Sequence, residues 1–166
     1  MQNTEMRYFA YGSNMSLQRL LRRTPSARAL GRFSLPGHEL RFHKSGRDGS
    51  GKCDAFRTGV SEDVVLGVLY RLAGQEKEAL DRAEGLGYRE TTITVYSEAA
   101  QPVQCFCYFA TRIDRTLAPY SWYKEHVLIG ALEAALPAEY IARIESVPAI
   151  ADPDVRRAAA QRAIHE

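Results

Sequence analysis

The stretch Tyr8-Phe9-Ala10-Tyr11-Gly12-Ser13-Asn14-Met15 starts apolar and aromatic and then turns small and polar. It reads as a strand, from Arg7 to Ala10, that ends in a turn. Ser16 then caps a short helix carrying Leu17, Leu20 and Leu21, which stops before Pro25. Working outward, strands are predicted over 26–33 and 39–43, joined through Pro36-Gly37, and over 53–58 and 64–72, with a turn at Ser61-Glu62-Asp63. Residues 74–84 have helical period, with Ala79, Leu80 and Ala83 on one face and Gly85 as the stop. Tyr88 to Tyr96 alternates as a strand should, and 103–110 is another strand. Helices follow over 122–135 and 138–145, and a last one opens at Asp152-Pro153-Asp154, read as N-cap, first-turn proline and first-turn acid. Strands gathered before helices make this an α+β chain and not a βαβ repeat. Six or more short strands predict a small, closed or nearly closed mixed β-barrel flanked by helices, with C-terminal helices from about residue 120.

Composition narrows the function. The 166 residues suit one domain over 1–166, and 45% apolar with 25% charged residues is the profile of a soluble globular protein. A net charge of +2 gives no case for nucleic acid or anionic lipid, and Arg19, Arg22 and Arg23 read as the solvated side of a helix. No apolar run approaches the ~20 residues of a membrane span, and Met1-Gln2-Asn3-Thr4-Glu5 does not look like a secretory leader. Three cysteines fit a reducing cytoplasm, with Cys105 and Cys107 as core residues on one sheet face; no metal site is expected. Gly46-Arg47-Asp48-Gly49-Ser50-Gly51-Lys52 has phosphate-loop spacing, but Cys53 stands where Ser or Thr would hold magnesium, and an extended run follows instead of a helix. It reads as a mobile surface loop, near a site if anything, and not an ATP cradle.

Three features carry chemistry. Tyr11, Gly12, Ser13 and Asn14 form a strand-to-helix turn whose successive N–H groups suit an anion; the same residues also suit a plain turn. Glu84 sits at a predicted helix C-terminus, where the helix dipole disfavours a carboxylate by ~0.3–1 kcal/mol. Dipole and partial burial would raise its pKa toward that of a general base. Tyr88, Tyr108 and Tyr123, with Tyr11, offer rings for a cavity wall and hydroxyls for orientation.

The sequence here resembles the γ-glutamylcyclotransferase family, with its AIG2-like fold. The resemblance is carried by Tyr8-Phe9-Ala10-Tyr11-Gly12-Ser13-Asn14-Met15, then Gly67-Val68-Leu69-Tyr70, Leu80-Asp81-Arg82-Ala83-Glu84-Gly85, Tyr123-Lys124, Gly130 and Leu136-Pro137. It implies a small β-barrel flanked by helices, and cyclisation of a γ-glutamyl amine or dipeptide to 5-oxoproline with release of the amine, as in glutathione metabolism. It implies Glu84 as catalytic residue and Tyr11, Gly12, Ser13, Asn14, Tyr88, Tyr108 and Tyr123 as substrate-binding, with no cofactor and a small-molecule γ-glutamyl partner. A homodimer stays an open option. The rival readings are an idle binding module on the same fold, a thiol enzyme using Cys53 with His38 or His43, and a related acyltransferase acting on another γ-glutamyl metabolite.

Overall fold

In the computed structural model, residues 4–166 are described. Met1, Gln2 and Asn3, on which part of the leader reading rests, lie outside the described residues. β1 (Glu5–Ala10) buries Tyr8, Phe9 and Ala10 and pairs antiparallel with β5 (Val64–Ala73). β5 pairs on its other edge with β2 (Arg28–Pro36), and β2 touches β6 (Tyr88–Tyr96) at Ser34 and Tyr96. β6 runs antiparallel to β7 (Pro102–Ala110), and β7 meets β1 in parallel where Phe106 faces Tyr8. The ring closes in the order β1-β5-β2-β6-β7. The mixed barrel flanked by helices is therefore present, with five of the seven strands among the described residues in it.

β3 (His38–Ser45) and β4 (Gly51–Arg57) form a separate two-stranded sheet. Its register slips between Arg41 and Lys44. Phe42, His43, Lys44, Cys53, Asp54 and Ala55 are buried, so the hairpin lies against the body and is not an exposed flap. Asp54 anchors it, accepting from the Ala110 N–H at 2.9 Å and from His43 at 2.6 Å. The phosphate-loop look-alike forms the turn of this hairpin, and its last two residues, Gly51 and Lys52, already open strand β4 instead of a helix.

The barrel core holds Phe9, Val65, Leu69, Leu72, Val95 and Cys107, each almost fully buried, a contribution of ~1.5–3 kcal/mol per large side chain. Cys105 and Cys107 are both buried, as their shared sheet face requires. The helices are α1 (Leu17–Leu21), α2 (Lys77–Glu84), α3 (Ser121–Glu133), α4 (Ala138–Glu145) and α5 (Val155–Arg162). Ser16 caps α1 by accepting from the Arg19 N–H. The segment expected as one helix over 74–84 begins with a 3-10 turn, Gly74–Glu76. The last helix is capped by Asp154, not Asp152. Asp152 instead takes the indole N–H of Trp122 at 2.8 Å and the Arg157 guanidinium at 2.6 Å, fastening the helix to α3. Among the described residues, no helix is long and apolar enough to cross a membrane.

Candidate active site

β1 delivers Tyr11 and then the segment Gly12, Ser13 and Asn14 to the mouth of the barrel. Ser13–Met15 is one 3-10 turn, and Tyr70 of β5 fixes it by donating to the Met15 carbonyl at 2.8 Å. Gly12 has φ −115° and ψ −136°, and a side chain there would meet Cys53, whose Cβ lies 2.9 Å from where a Cβ would stand. The amides of Gly12, Ser13 and Asn14 have no hydrogen-bond partner among the described residues.

Glu84 is the last residue of α2, as the sequence predicts, and Gly85 ends the helix with φ 70° and ψ −163°, a region open essentially to glycine alone. The Glu84 carboxylate is half-buried and accepts from Asn14 Nδ2 at 2.8 Å. The same amide donates to the Tyr8 hydroxyl at 3.2 Å, while Asn14 Oδ1 accepts from Arg23 at 3.0 Å. Both polar side-chain atoms of Asn14 are thus engaged, which fixes the amide that meets Glu84. Burial raises the Glu84 pKa; Arg23, Arg19 and Lys44, and the Tyr8 hydroxyl, pull it back without cancelling the rise. The direction is the one expected from the helix end, but burial is its leading cause.

Tyr11, Gly12, Ser13, Asn14, Glu84, Tyr88, Tyr108 and Tyr123 all line one inner recess of about 30 Å³, together with Tyr8 and Cys53. The structure therefore brings together the residues that the resemblance gives as catalytic and substrate-binding, but not His38 or His43. The tyrosine hydroxyls are less free than the residue type suggests. Tyr11 donates to the Tyr108 carbonyl, Tyr88 to the Cys53 carbonyl at 2.5 Å, and Tyr108 to Asp81. Tyr123 accepts from the Cys53 N–H at 2.9 Å. These rings are walls braced by their own hydroxyls.

Cys53 does not suit nucleophilic chemistry. Burial pushes its thiol up to about 12, away from the thiolate, and His43 is turned to Asp54. Among the described residues, no group of three His, Cys, Asp or Glu side chains stands where it could hold a metal ion.

Outside the recess lies a wider chamber of about 210 Å³, sharing Ser13, Asn14, Glu84, Tyr88 and Tyr123 with it. Its cations, Arg19, Arg23, Lys44, Arg47 and Lys52, were not read as site residues. Arg19 and Arg23 are not a solvated face: Arg19 is buried, with Nε donating to Ser13 Oγ at 3.1 Å, and Arg23 reaches Asn14. Arg47 and Asp48, in the hairpin turn, and Lys52, at the start of β4, belong to the segment set aside as a phosphate loop, so that segment borders the site. Arg19 lies inside α1 while Arg23 lies in the turn just past its end, so no helical spacing in the sequence pairs them.

Comparisons with known proteins place the fold and the family. The model of the AIG2-like family matches residues 64–144, which include Glu84 and Tyr123. Mouse γ-glutamylcyclotransferase is 30% identical over 148 residues, covering 84% of this chain and 77% of the relative. A solved γ-glutamyl cyclotransferase structure superposes with a TM-score of 0.80 at 27% identity, over 88% of this chain and 89% of the other. A human protein of unassigned function superposes at 0.84 and 25% identity, over 98% and 99%. A half-buried helix-end carboxylate, the loop that orients it and a tyrosine-walled recess thus stand on a fold shared with these relatives, and the chain belongs to the γ-glutamylcyclotransferase family.

Proposed function

We propose that this enzyme cyclises a γ-glutamyl amine or dipeptide to 5-oxoproline and releases the free amine, with Glu84 carrying the proton. The observation that carries the reading is the Glu84 carboxylate, raised in pKa by burial and aimed by Asn14 at the mouth of the tyrosine recess. The α-amino nitrogen of the glutamyl group attacks its own γ-carbonyl carbon, forming the ring C–N bond. Glu84 takes the proton this nitrogen gives up and returns it to the departing nitrogen as the original amide bond breaks. Attacking and attacked atoms belong to one molecule, so the walls mainly hold it folded. The unpaired amides of Gly12, Ser13 and Asn14 supply donors for the α-carboxylate or the oxyanion. Three free cysteines fit a cytoplasmic setting.

The test is Glu84→Gln, which keeps the size and the Asn14 contact but not the proton carrier. With γ-glutamyl amino acids, γ-glutamyl amines and glutathione as substrates, 5-oxoproline formation should fall ~10²–10⁴-fold. Near-wild-type turnover in the variant would remove Glu84 from this role.

A further inference from the structure

The outer chamber carries more positive charge than a glutamyl group neutralises. Five cations line it, against the carboxylates of Glu84 and Asp48. Asp48 is already held by Lys52 at 2.9 Å. Among the described residues, Arg19, Arg23, Lys44 and Arg47 have no carboxylate within 4.0 Å. The inner recess, by contrast, has no cation in its lining among the described residues. Charge and aromatic wall are therefore separated along one axis, with Glu84 at their junction.

Two cations stand next to that junction. Lys44 holds its ammonium 4.5 Å above the Tyr88 ring. Arg47 lies over Gly85, its Nη2 3.1 Å from where a Cβ would stand, one residue from Glu84. Like charges gathered in a partly dry chamber repel, and while Arg19 and Arg23 also brace Ser13 and Asn14, Lys44 and Arg47 have no carboxylate within 4.0 Å among the described residues. Lys44 is accordingly held below the usual lysine range, by burial first and then by Arg47 and Arg112, against the pull of Glu84 and Asp48.

We propose that this chamber is a leaving-group subsite that selects γ-glutamyl compounds whose released amine carries two carboxylates, an acidic amino acid, over neutral amines. The inference rests on the proposed cyclisation. With the glutamyl end at the recess and its bond to be broken at Glu84, the departing portion lies among Lys44, Arg47, Arg19 and Arg23. Carboxylates there form charge-assisted hydrogen bonds that a neutral amine does not.

The experiment compares γ-glutamyl-ethylamide, γ-glutamyl-alanine and γ-glutamyl-glutamate, whose leaving portions carry none, one and two carboxylates. The kcat/KM for 5-oxoproline formation should rise along the series, on the order of tenfold per carboxylate, and the rise should flatten at high salt. Arg47 is exposed, so Arg47→Gln leaves the core untouched; Lys44→Gln is the second variant. Each should cut the ratio of kcat/KM for γ-glutamyl-glutamate to that for γ-glutamyl-ethylamide by about tenfold. A flat series, or a ratio unmoved in both variants, overturns the subsite. If none of the three is cyclised, the proposed function fails instead, and calorimetry still decides the inference. Binding of γ-glutamyl-glutamate tighter than that of the ethylamide, and weakened by Arg47→Gln, supports it; equal binding overturns it.

Discussion

Glu84 is caught between two opposed influences. Burial favours its neutral form, while Arg23, Arg19 and Lys44 favour the carboxylate, and burial prevails. Two pH effects follow. A general base must be ionised, so kcat/KM should fall as pH drops through a value above the ordinary carboxylate range. Stability should move the other way. The folded chain binds this proton more tightly than the unfolded chain, so the stabilisation from it is fully present below the unfolded-state pKa. It is lost as pH rises through the folded-state pKa. Glu84→Gln removes that loss. The variant should melt higher than wild type at alkaline pH, and the two should converge in acid, as thermal scans across pH would record. A variant less stable at alkaline pH would mean the carboxylate serves the fold. Part of this was legible in the sequence: a Glu at a helix C-terminus followed by glycine breaks a local electrostatic rule, and such breaks gather at functional sites. Asn14 was read as a substrate ligand, because its tie to Glu84 joins residues 70 positions apart and leaves no local pattern.

At the scale of elements, the C-terminal helix reaches the Ser13–Met15 turn through a chain of hydrogen bonds. Arg19 Nη1 donates to Gln161 Oε1 at 2.7 Å, and Arg19 Nε donates to Ser13. Arginine only donates, so Gln161 must present its oxygen, and His126, 3.0 Å from that oxygen, must carry its proton on Nε2. His126 Nδ1 then accepts from His165 at 2.6 Å. Burial, with help from Arg19, holds the pKa of His126 down to about 3, so the ring stays neutral as this chain requires. Gln161→Leu strands two buried donors and should cost ~1–3 kcal/mol in urea unfolding. It should also raise KM, since Arg19 loses its orientation toward Ser13. Gln161→Glu keeps an acceptor for Arg19 and should recover the KM. Loss of stability with unchanged KM in Gln161→Leu would confine α5 to a structural role. The helix was readable from its capping acids, but its partner was not. Arg19 looked solvated because the element that buries it lies 142 residues downstream.

At the scale of the whole molecule, the strands were legible one by one, and Tyr88–Tyr96 came out residue for residue. Their order was not. β2 pairs with β5 and β6 while the intervening β3–β4 hairpin leaves the barrel, and no local period encodes which strand is passed over. That departure matters for function, since it brings Lys44, Arg47 and Lys52 to the open side of the recess. The helical layer meets the barrel at the 3-10 turn Ser13–Met15. Tyr70 holds this turn from the barrel side, and Gly130 of α3 presses it from the other. A Cβ on Gly130 would lie 2.4 Å from Met15 Cβ, 2.6 Å from the Met15 carbonyl carbon and 2.6 Å from the Ser16 nitrogen. Two of those three atoms are backbone, so no rotamer change relieves the clash, and helix or turn must move. Gly130→Ala should therefore destabilise by ~1–3 kcal/mol, the usual penalty of overpacking. Any shift of the turn also carries Asn14, and through it the Glu84 carboxylate. The kcat/KM of the folded fraction should consequently drop as well, measured below the melting range with urea titration fixing how much protein is folded. Full activity per folded molecule would show that the turn keeps its place without α3, and that barrel and helices are coupled in stability alone.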